Sequence, residues 1–267
     1  MYDDLRRSSG ACSELAGKLV RFPAPGWKGD HRPDPRINRL LACLPEADHQ
    51  QILPALEGLS LPQGLALYEA GDPQRYVYFP TSSIVSLHYV FKDGASAEFA
   101  VAGNEGLVGL SHFGCCETSP YRAVVLSAGY AYRLRSAVLK KEFERSEVLR
   151  QLLLRYTQAL MTQMAQIAVC NRHHALEQQL CRWLLLSLDR LPSNQFAMTH
   201  ELFANMLGVR REGVTETAGK LQARGIIHFS RGHITVLDRA KLEASVCECY
   251  AVVRREYDRL IPARIVA

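Results

Sequence analysis

Residues 198–227 read MTHELFANMLGVRREGVTETAGKLQARGII, and this stretch predicts two short helices joined by a tight turn. Thr199 is a favourable N-cap residue, and apolar residues follow it at helical spacing. Gly208 is expected to end the first helix in the left-handed conformation, and Val209 to fill the angle between the two helices. A helix-turn-helix of this kind is typical of proteins that present their second helix to the major groove of DNA.

The second helix, expected over 210–223, has one apolar face and one charged face. Its inward-facing residues are Val214, Ala218 and Leu221. Its outward-facing residues are Arg211, Glu212, Thr215, Glu216 and Lys220. Arginine can form two hydrogen bonds with guanine, and a carboxylate can accept one from the cytosine amino group, each good pair being worth roughly 1 to 3 kcal/mol of discrimination. We therefore expect this helix to contact base edges.

Two apolar runs after the second helix predict a β-hairpin. IIHF (226–229) and ITV (234–236) flank the turn 230–233, whose tip carries Arg231. We expect this hairpin to be the wing of a winged helix and Arg231 to contact a DNA phosphate. The alternative, an ordinary helical hairpin with a solvated charged face, does not account for the turn, the glycines and the wing in this order.

This segment resembles the DNA-binding domain of the CRP/FNR superfamily of bacterial transcription regulators, without a gap through the helix-turn-helix. Residues 64–109 contain GLALYEAGDPQRYVYFP, an Asp93-Gly94 turn and VAGNEGLVG, and they are similar to the family's jelly roll of the cyclic-nucleotide-binding type. The resemblance implies an α+β protein with an N-terminal antiparallel β jelly roll, a long dimerisation helix and a C-terminal winged helix-turn-helix.

The resemblance also implies how the chain meets DNA. Arg211 and Glu212 match the family's base-reading positions, whereas Glu216 stands where many members have an arginine that reads a guanine. The residues predicted to contact DNA are Thr199, Arg210, Arg211, Glu212, Thr215, Glu216, Lys220 and Arg231. The implied function is regulation of transcription by a homodimer on palindromic double-stranded DNA, under an unidentified effector and with RNA polymerase as a partner.

The chain divides into five predicted segments. They are a flexible arm (1–36), a jelly-roll sensor domain (37–145), a dimerisation helix (146–171), a winged helix-turn-helix domain (172–245) and a C-terminal helix (246–267). Alternating apolar residues and turn residues predict strands at Tyr76–Phe79, Ile84–Phe91, Ala95–Ala102, Ala123–Ser127 and Tyr130–Leu134.

Helices are expected on both sides of these strands. A short helical pair is predicted from Ile37 to about Leu53, and a long helix is predicted to begin near Ser136 or Ser146. The NRHH stretch (171–174) is expected to be a hinge before a further helix that starts the DNA-binding domain.

The long helix carries six apolar residues spaced as in a coiled-coil seam over about three heptads. They are Leu149, Leu153, Tyr156, Leu160, Met164 and Ile167. We expect this seam to form a homodimer, because a symmetric DNA site needs a two-fold protein. The alternative is that these side chains pack on the jelly roll, since Leu152, Leu154 and Met161 supply a second apolar face.

The ligand of the jelly roll is left open. In nucleotide-binding members of the family, a carboxylate after a GxxG turn binds the ribose, and an Arg-Ser/Thr pair holds the cyclic phosphate. The matching effector-site residues here are Gly109, Leu110, Arg122 and Ala123. Leucine cannot accept the ribose hydrogen bond and alanine cannot donate one to phosphate, so cyclic AMP binding of the usual kind is not expected. Arg122 is either an anion ligand or a structural cation near a strand end.

Composition agrees with a globular DNA-binding chain. Its 267 residues are 48% hydrophobic and 22% charged, with a formal net charge of +5. Between Arg210 and His233 there are five Lys and Arg residues against two acidic residues, which makes this region locally basic. The chain has no apolar run of membrane-spanning length and no signal-peptide pattern, so we expect a cytoplasmic protein without a membrane partner.

The eight cysteines are expected to be mostly reduced thiols. The oxygen-sensing branch of the family holds an iron-sulfur cluster with closely spaced N-terminal cysteines, whereas this N-terminal region has only Cys12 and Cys43. The cysteine pairs at 115–116 and 247–249 are too few for a closed four-ligand site unless residues distant in the chain join them. We therefore predict no metal and no cofactor, with a redox- or ligand-responsive interaction protein as an alternative.

A jelly-roll metal-dependent enzyme is the other alternative. His88 and His112 lack the H-x-H spacing with a following Glu that such enzymes need, and nucleophile-elbow, P-loop and dinucleotide motifs are absent from the sequence. His88, His112, His173 and His174 are interpreted as isolated or solvated residues, which gives no support for haem. We therefore expect no enzymatic activity.

Overall fold

The computed structural model describes residues 33–92, 96–110 and 118–262. Most of the predicted arm with Cys12, the Asp93-Gly94 turn, His112 and the cysteine pair at 115–116 lie outside the described residues.

Among its described residues, the N-terminal domain has seven strands: β1 Glu57–Leu61, β2 Ala66–Tyr68, β3 Tyr76–Pro80, β4 Ile84–Val90, β5 Ser96–Ala102, β6 Arg122–Ser127 and β7 Gly129–Arg135. They form two antiparallel sheets, in the orders β1-β7-β3 and β2-β6-β4-β5. Two short helices, α1 Arg39–Ala42 and α2 Glu46–Ile52, precede them, as predicted. This domain confirms the N-terminal antiparallel jelly roll of an α+β protein.

The five predicted strands are confirmed to within one residue at each end. The sequence did not predict β1 and β2. Strand β2 has only three residues and shifts register against β6 between Ala66 and Tyr68. Short strands of this kind depend on pairing with distant residues, so they carry little local signal.

The predicted long helix is two helices, α3 Ser136–Arg145 and α4 Glu147–His173. Ser146 breaks the helical run with an extended backbone, and its hydroxyl caps α4 by accepting a hydrogen bond from Leu149 N at 3.2 Å. The predicted hinge at 171–174 is too early, because α4 continues through His173. Only His174 and Ala175, both extended, separate α4 from α5 Leu176–Leu188.

The predicted dimer seam is wrong for five of its six side chains, because these five face the protein's own core. The buried members are Leu149, Leu153, Tyr156, Leu160 and Ile167, whereas Met164 is exposed. Tyr156 donates a hydrogen bond to Leu107 O at 2.8 Å. Gly106 makes room for this ring, since a Cβ there would lie 2.2 Å from it. The jelly roll therefore covers this face of α4, as the alternative interpretation expected.

The C-terminal domain contains a three-stranded sheet in the order β8-β10-β9 and four helices among the described residues after α5. Its elements are β8 Gln195–Ala197, α6 His200–Leu207, α7 Arg211–Ala223, β9 Ile227–Ser230, β10 His233–Val236, α8 Arg239–Ser245 and α9 Glu248–Leu260. Helix α9 packs along α4, and one continuous apolar core joins the jelly roll to the C-terminal domain. Within the described ranges, no helix is both long enough and apolar enough to cross a membrane.

Candidate nucleic-acid interface

Helices α6 and α7 form the predicted helix-turn-helix. The Thr199 hydroxyl caps α6 by accepting a hydrogen bond from Leu202 N at 3.1 Å. Gly208 follows α6 with φ of +65°, a left-handed conformation that favours glycine. Val209 N then donates to Ala204 O at 3.0 Å, which closes the turn. Thr199 thus serves the start of the first helix, and its role as a DNA ligand remains a prediction.

Helix α7 has the expected two faces. Its buried residues include Val214, Ala218 and Leu221, which pack into the core. The predicted DNA-contacting residues on it are all exposed: Arg211, Glu212, Thr215, Glu216 and Lys220. Arg210 was expected inside the helix, but its extended backbone makes it the N-cap residue. Its side chain is exposed at the same end of α7 as Arg211 and Glu212.

Two charged residues on α7 form an ion pair with each other. Lys220 Nζ lies 2.7 Å from Glu216 Oε1, one helical turn away, and both side chains are largely exposed. This hydrogen bond lowers the pKa of the Glu216 carboxyl and raises the pKa of Lys220. The pair partly neutralises the middle of the charged face, so the cations at the N-terminal end of α7 dominate its charge.

Strands β9 and β10 form the predicted wing. Ser230 pairs with His233, which leaves Arg231 and Gly232 as a two-residue loop with φ values of +48° and +78°. Two positive φ values are the requirement of a type I′ hairpin turn. The Arg231 side chain is exposed at this tip. Strand β8, which the sequence did not predict, pairs with β10. Directly after β8, Met198 N donates a hydrogen bond to Gly232 O at the wing tip at 2.7 Å.

His200 also belongs to this interface, although the sequence did not predict it. Its Nδ1 lies 2.9 Å from the Thr215 hydroxyl, and its ring stacks on Phe229 with centroids 4.1 Å apart. Partial burial and the nearby Arg211 charge lower the pKa of His200. His200 therefore connects the first helix, the recognition helix and the wing as a neutral ring.

The predicted effector residues all belong to the jelly roll, and the side chains of Leu110, Arg122 and Ala123 make other contacts. Leu110 packs against the core and Ala123 is fully buried. Gly109 has φ of +110°, with Tyr76 O 3.1 Å from where a Cβ would lie. Arg122 Nε lies 3.0 Å from Glu69 Oε2 in an ion pair. This carboxylate partner fits the structural-cation interpretation of Arg122.

His88 faces Arg122 across the strand pair β4 and β6. Burial and the Arg122 charge together lower the pKa of His88 to about 4. His88 is therefore a neutral, mostly buried ring, and not the solvated histidine expected from the sequence.

Comparisons with known proteins agree with this architecture. Residues 59–146 match the family model of the cyclic nucleotide-binding domain, and residues 178–245 match that of the Crp-like helix-turn-helix domain. None of the curated proteins matches the sequence.

Solved structures with the same fold include regulators from several bacteria. A putative transcriptional regulator of the CRP/FNR family from Eubacterium rectale has 18% sequence identity and a TM-score of 0.61, over 78% of this chain and 98% of that one. FixK2 from Bradyrhizobium japonicum has 17% identity and a TM-score of 0.60, over 72% and 98% of the two chains. The regulator CLP from Xanthomonas campestris, described as responsive to c-di-GMP, has 17% identity and a TM-score of 0.57, over 73% and 100%.

The two family models match in the order in which the structure places the two folds, and each falls on the domain that carries the corresponding geometry. The chain therefore belongs to the CRP/FNR type of transcription regulators, with a cyclic nucleotide-binding domain followed by a Crp-like helix-turn-helix domain.

Proposed function

We propose that this chain binds palindromic double-stranded DNA as a homodimer, with α7 in the major groove and the wing on the phosphate backbone. The observation that carries this proposal is the exposure, on one domain, of the charged N-terminal end of α7 and of Arg231 at the wing tip. Arg211 and Glu212 would contact base edges, and Arg231 would contact phosphate.

The dimer would form through the face of α4 that the jelly roll leaves uncovered. Leu154 and Met161 are 53% and 58% exposed and lie one heptad apart, with the smaller Ala165 and Ala168 one and two turns further along. Met164 and Val169 flank this stripe and are also exposed. An exposed apolar stripe on a long helix supports pairing with a second copy, and two-fold pairing matches a palindromic site.

Control by an effector remains part of the proposal without an identified ligand. The pairing of Arg122 with Glu69, together with Leu110 and Ala123, supports a jelly roll that does not bind cyclic AMP in the usual way. RNA polymerase as a partner and a cytoplasmic location are part of this proposal, by resemblance to the family. A non-enzymatic role is supported by the transcriptional regulators among the matched structures.

Titration of a labelled duplex pool by the full chain at several salt concentrations, with the oligomeric state measured by light scattering, tests this proposal. We expect a dimer whose affinity falls steeply with salt, because binding releases counterions from the phosphates. Leu154→Glu should give a monomer with weakened DNA binding. Val148→Glu is the control, since Val148 is an exposed apolar residue on α4 outside the stripe. A monomeric wild type, or binding that is indifferent to salt, contradicts the proposal.

A further inference from the structure

Four metal-ligating side chains converge where α4 ends and α9 begins. Cys170 lies in the last turn of α4, and His174 directly follows that helix. Cys247 and Cys249 lie at the N-terminus of α9. One ligand atom from each residue lies within 4.8 Å of the other three, and the three cysteines are buried. The sequence shows two separate pairs, Cys170 with His174 and Cys247 with Cys249, and their convergence is not visible because Cys247 lies 77 positions after Cys170.

The spacing of these atoms fits a single tetrahedral ion. Cys170 Sγ lies 3.6 Å from Cys247 Sγ, and Cys249 Sγ lies 3.5 Å from His174 Nδ1. Around one zinc ion with Zn–S bonds of about 2.3 Å and Zn–N bonds of about 2.0 Å, tetrahedral angles put two sulfurs about 3.8 Å apart and a sulfur and nitrogen about 3.5 Å apart. A polynuclear iron-sulfur cluster would need ligands further apart than the 4.8 Å limit seen here.

The orientation of His174 is that of a metal ligand. Its Nδ1 points toward the sulfurs, and its Nε2 lies 3.3 Å from Glu248 Oε1. A histidine that binds a metal commonly donates its other ring N–H to a carboxylate, which fixes the ring. The polar sequence around His174 predicts an isolated or solvated histidine, and this prediction is wrong because the side chain is mostly buried.

A buried cation lies beside the cluster. Arg182 is 2% exposed, and its Nη2 donates a hydrogen bond at 3.4 Å to the Oδ1 of Asn171, the residue after Cys170. Its Nε and Nη1 are buried without a hydrogen-bond partner among the residues that the structure describes. Three thiolates, a neutral histidine and a divalent ion carry a net charge of about −1, which this guanidinium would balance. Buried charges are expected to be paired in this way.

We propose that Cys170, His174, Cys247 and Cys249 bind one Zn²⁺ ion, which ties the end of α4 to the start of α9. Thiolate-rich tetrahedral sites select Zn²⁺ among the common divalent ions. Binding replaces the thiol protons, which pass to solvent, and no electron transfer is involved. The ion would hold the His174–Ala175 break, where α4 joins the DNA-binding domain. A disulfide between Cys170 and Cys247 would not explain why His174 contacts both Cys249 and Glu248.

Metal analysis and cobalt substitution of the full chain test this proposal without any DNA. We expect one zinc per chain after purification with zinc and dialysis. After exchange with Co²⁺ alone, we expect the intense visible ligand-field bands of tetrahedral coordination and thiolate-to-cobalt charge transfer. The proposal is overturned if the chain retains no zinc and gives an octahedral cobalt spectrum. It is also overturned if Cys170 and Cys247 form a disulfide in a reducing buffer.

Matched variants identify the ligands even where one of them impairs folding. Cys249→Ser should lose zinc. Cys43→Ser should retain it, because Cys43 contacts Pro262 O after the C-terminal end of α9, whereas the cluster lies at the N-terminal end of that helix. His174→Cys should still bind cobalt, with added thiolate charge transfer and bands at lower energy. Glu248→Gln should weaken zinc affinity by roughly tenfold. Retention of zinc by Cys249→Ser, or an unchanged cobalt spectrum in His174→Cys, overturns the assignment.

Discussion

Arg190 Nε donates a hydrogen bond to Glu105 Oε1 at 2.7 Å, and the two side chains are only 4% and 5% exposed. Glu105 belongs to the GNEG segment of the jelly roll, and Arg190 follows α5 in the DNA-binding domain. The same guanidinium donates to Gln163 Oε1 on α4 at 2.9 Å and to Leu186 O at 2.6 Å. The sensor fold, the long helix and the DNA-binding domain therefore meet at one buried arginine.

Loss of either Glu105 or Arg190 alone should destabilise the folded protein. Glu105→Ala leaves the Arg190 charge buried without its carboxylate, so we expect the free energy of unfolding to fall by about 3 to 5 kcal/mol. Urea denaturation measures this change. The double variant Glu105→Leu with Arg190→Met removes both charges. It should be clearly more stable than the summed losses of the single variants Glu105→Leu and Arg190→Met predict. Additive losses would contradict a coupled buried pair.

A close approach at Gly106 gives a second test. Gly106→Ala places a methyl group 2.2 Å from the Tyr156 ring, so α4 must move away from the jelly roll and the free energy of unfolding should fall by about 1 to 3 kcal/mol. Gly219→Ala is the matched control, because Gly219 is exposed on α7 with no neighbouring atoms within 4 Å. The control should gain up to about 1 kcal/mol from helix propensity. Equal thermal midpoints for the two variants would argue against the contact.

Glu98 gives the protein a pH-dependent stability. Burial raises the pKa of this carboxyl from 4.5 to about 7, against the hydrogen bond that Ser86 donates to it. The folded protein therefore holds a proton that the unfolded chain has released, so the free energy of unfolding falls as pH rises from 4.5 to about 7 and changes little above.

Glu98→Gln should remove the fall in the free energy of unfolding between pH 4.5 and about 7. The variant should be close to wild type near pH 5 and more stable by up to about 3 kcal/mol near pH 8, as measured by urea denaturation across this range. Glu144→Gln controls for removal of a charge, because Glu144 is exposed. A stability difference that stays constant with pH would show that Glu98 is ionised in the folded protein.

Arg211 and Lys220 should differ in what they contribute to DNA binding. Arg211→Ala removes a predicted base contact and should weaken specific binding by roughly 1 to 3 kcal/mol while affecting random duplexes less. Lys220 already pairs with Glu216, so Lys220→Ala should have a smaller effect, similar for both duplexes. Titrations on specific and random duplexes measure both losses. Equal losses for the two variants on the specific duplex would refute the base-reading role of Arg211.

Local signals in the sequence were sufficient for the helix-turn-helix and the wing. Thr199 and Gly208 mark the ends of α6 by capping chemistry, and the Arg231-Gly232 loop lies between two alternating apolar runs. These features depend on neighbours within a few residues. The strand β8 has three residues and is stabilised by pairing with β10, so its own sequence gave no comparable signal.

Features that depend on distant residues could not be predicted from the sequence. Helix α4 is apolar on two faces, and heptad spacing does not tell which face the jelly roll covers. The spacing predicts a dimer seam at Leu153 and Tyr156, whereas the exposed apolar face is at Leu154. The cysteine cluster and the pairing of Glu105 with Arg190 likewise join residues about one domain apart. Only the tertiary fold brings them together.

Selection of bound duplexes from a random pool by the purified full chain, without added ligand and at near-physiological salt, tests the central claim most directly. We predict enrichment of an inverted repeat whose half-sites are centred about one helical turn apart, which is the spacing expected of a two-fold winged helix-turn-helix protein. The half-site should depart from the family's usual sequence at the base that Glu216 faces. If repeated rounds of selection with a folded chain leave the pool random, that result would contradict sequence-specific DNA binding by the ligand-free protein.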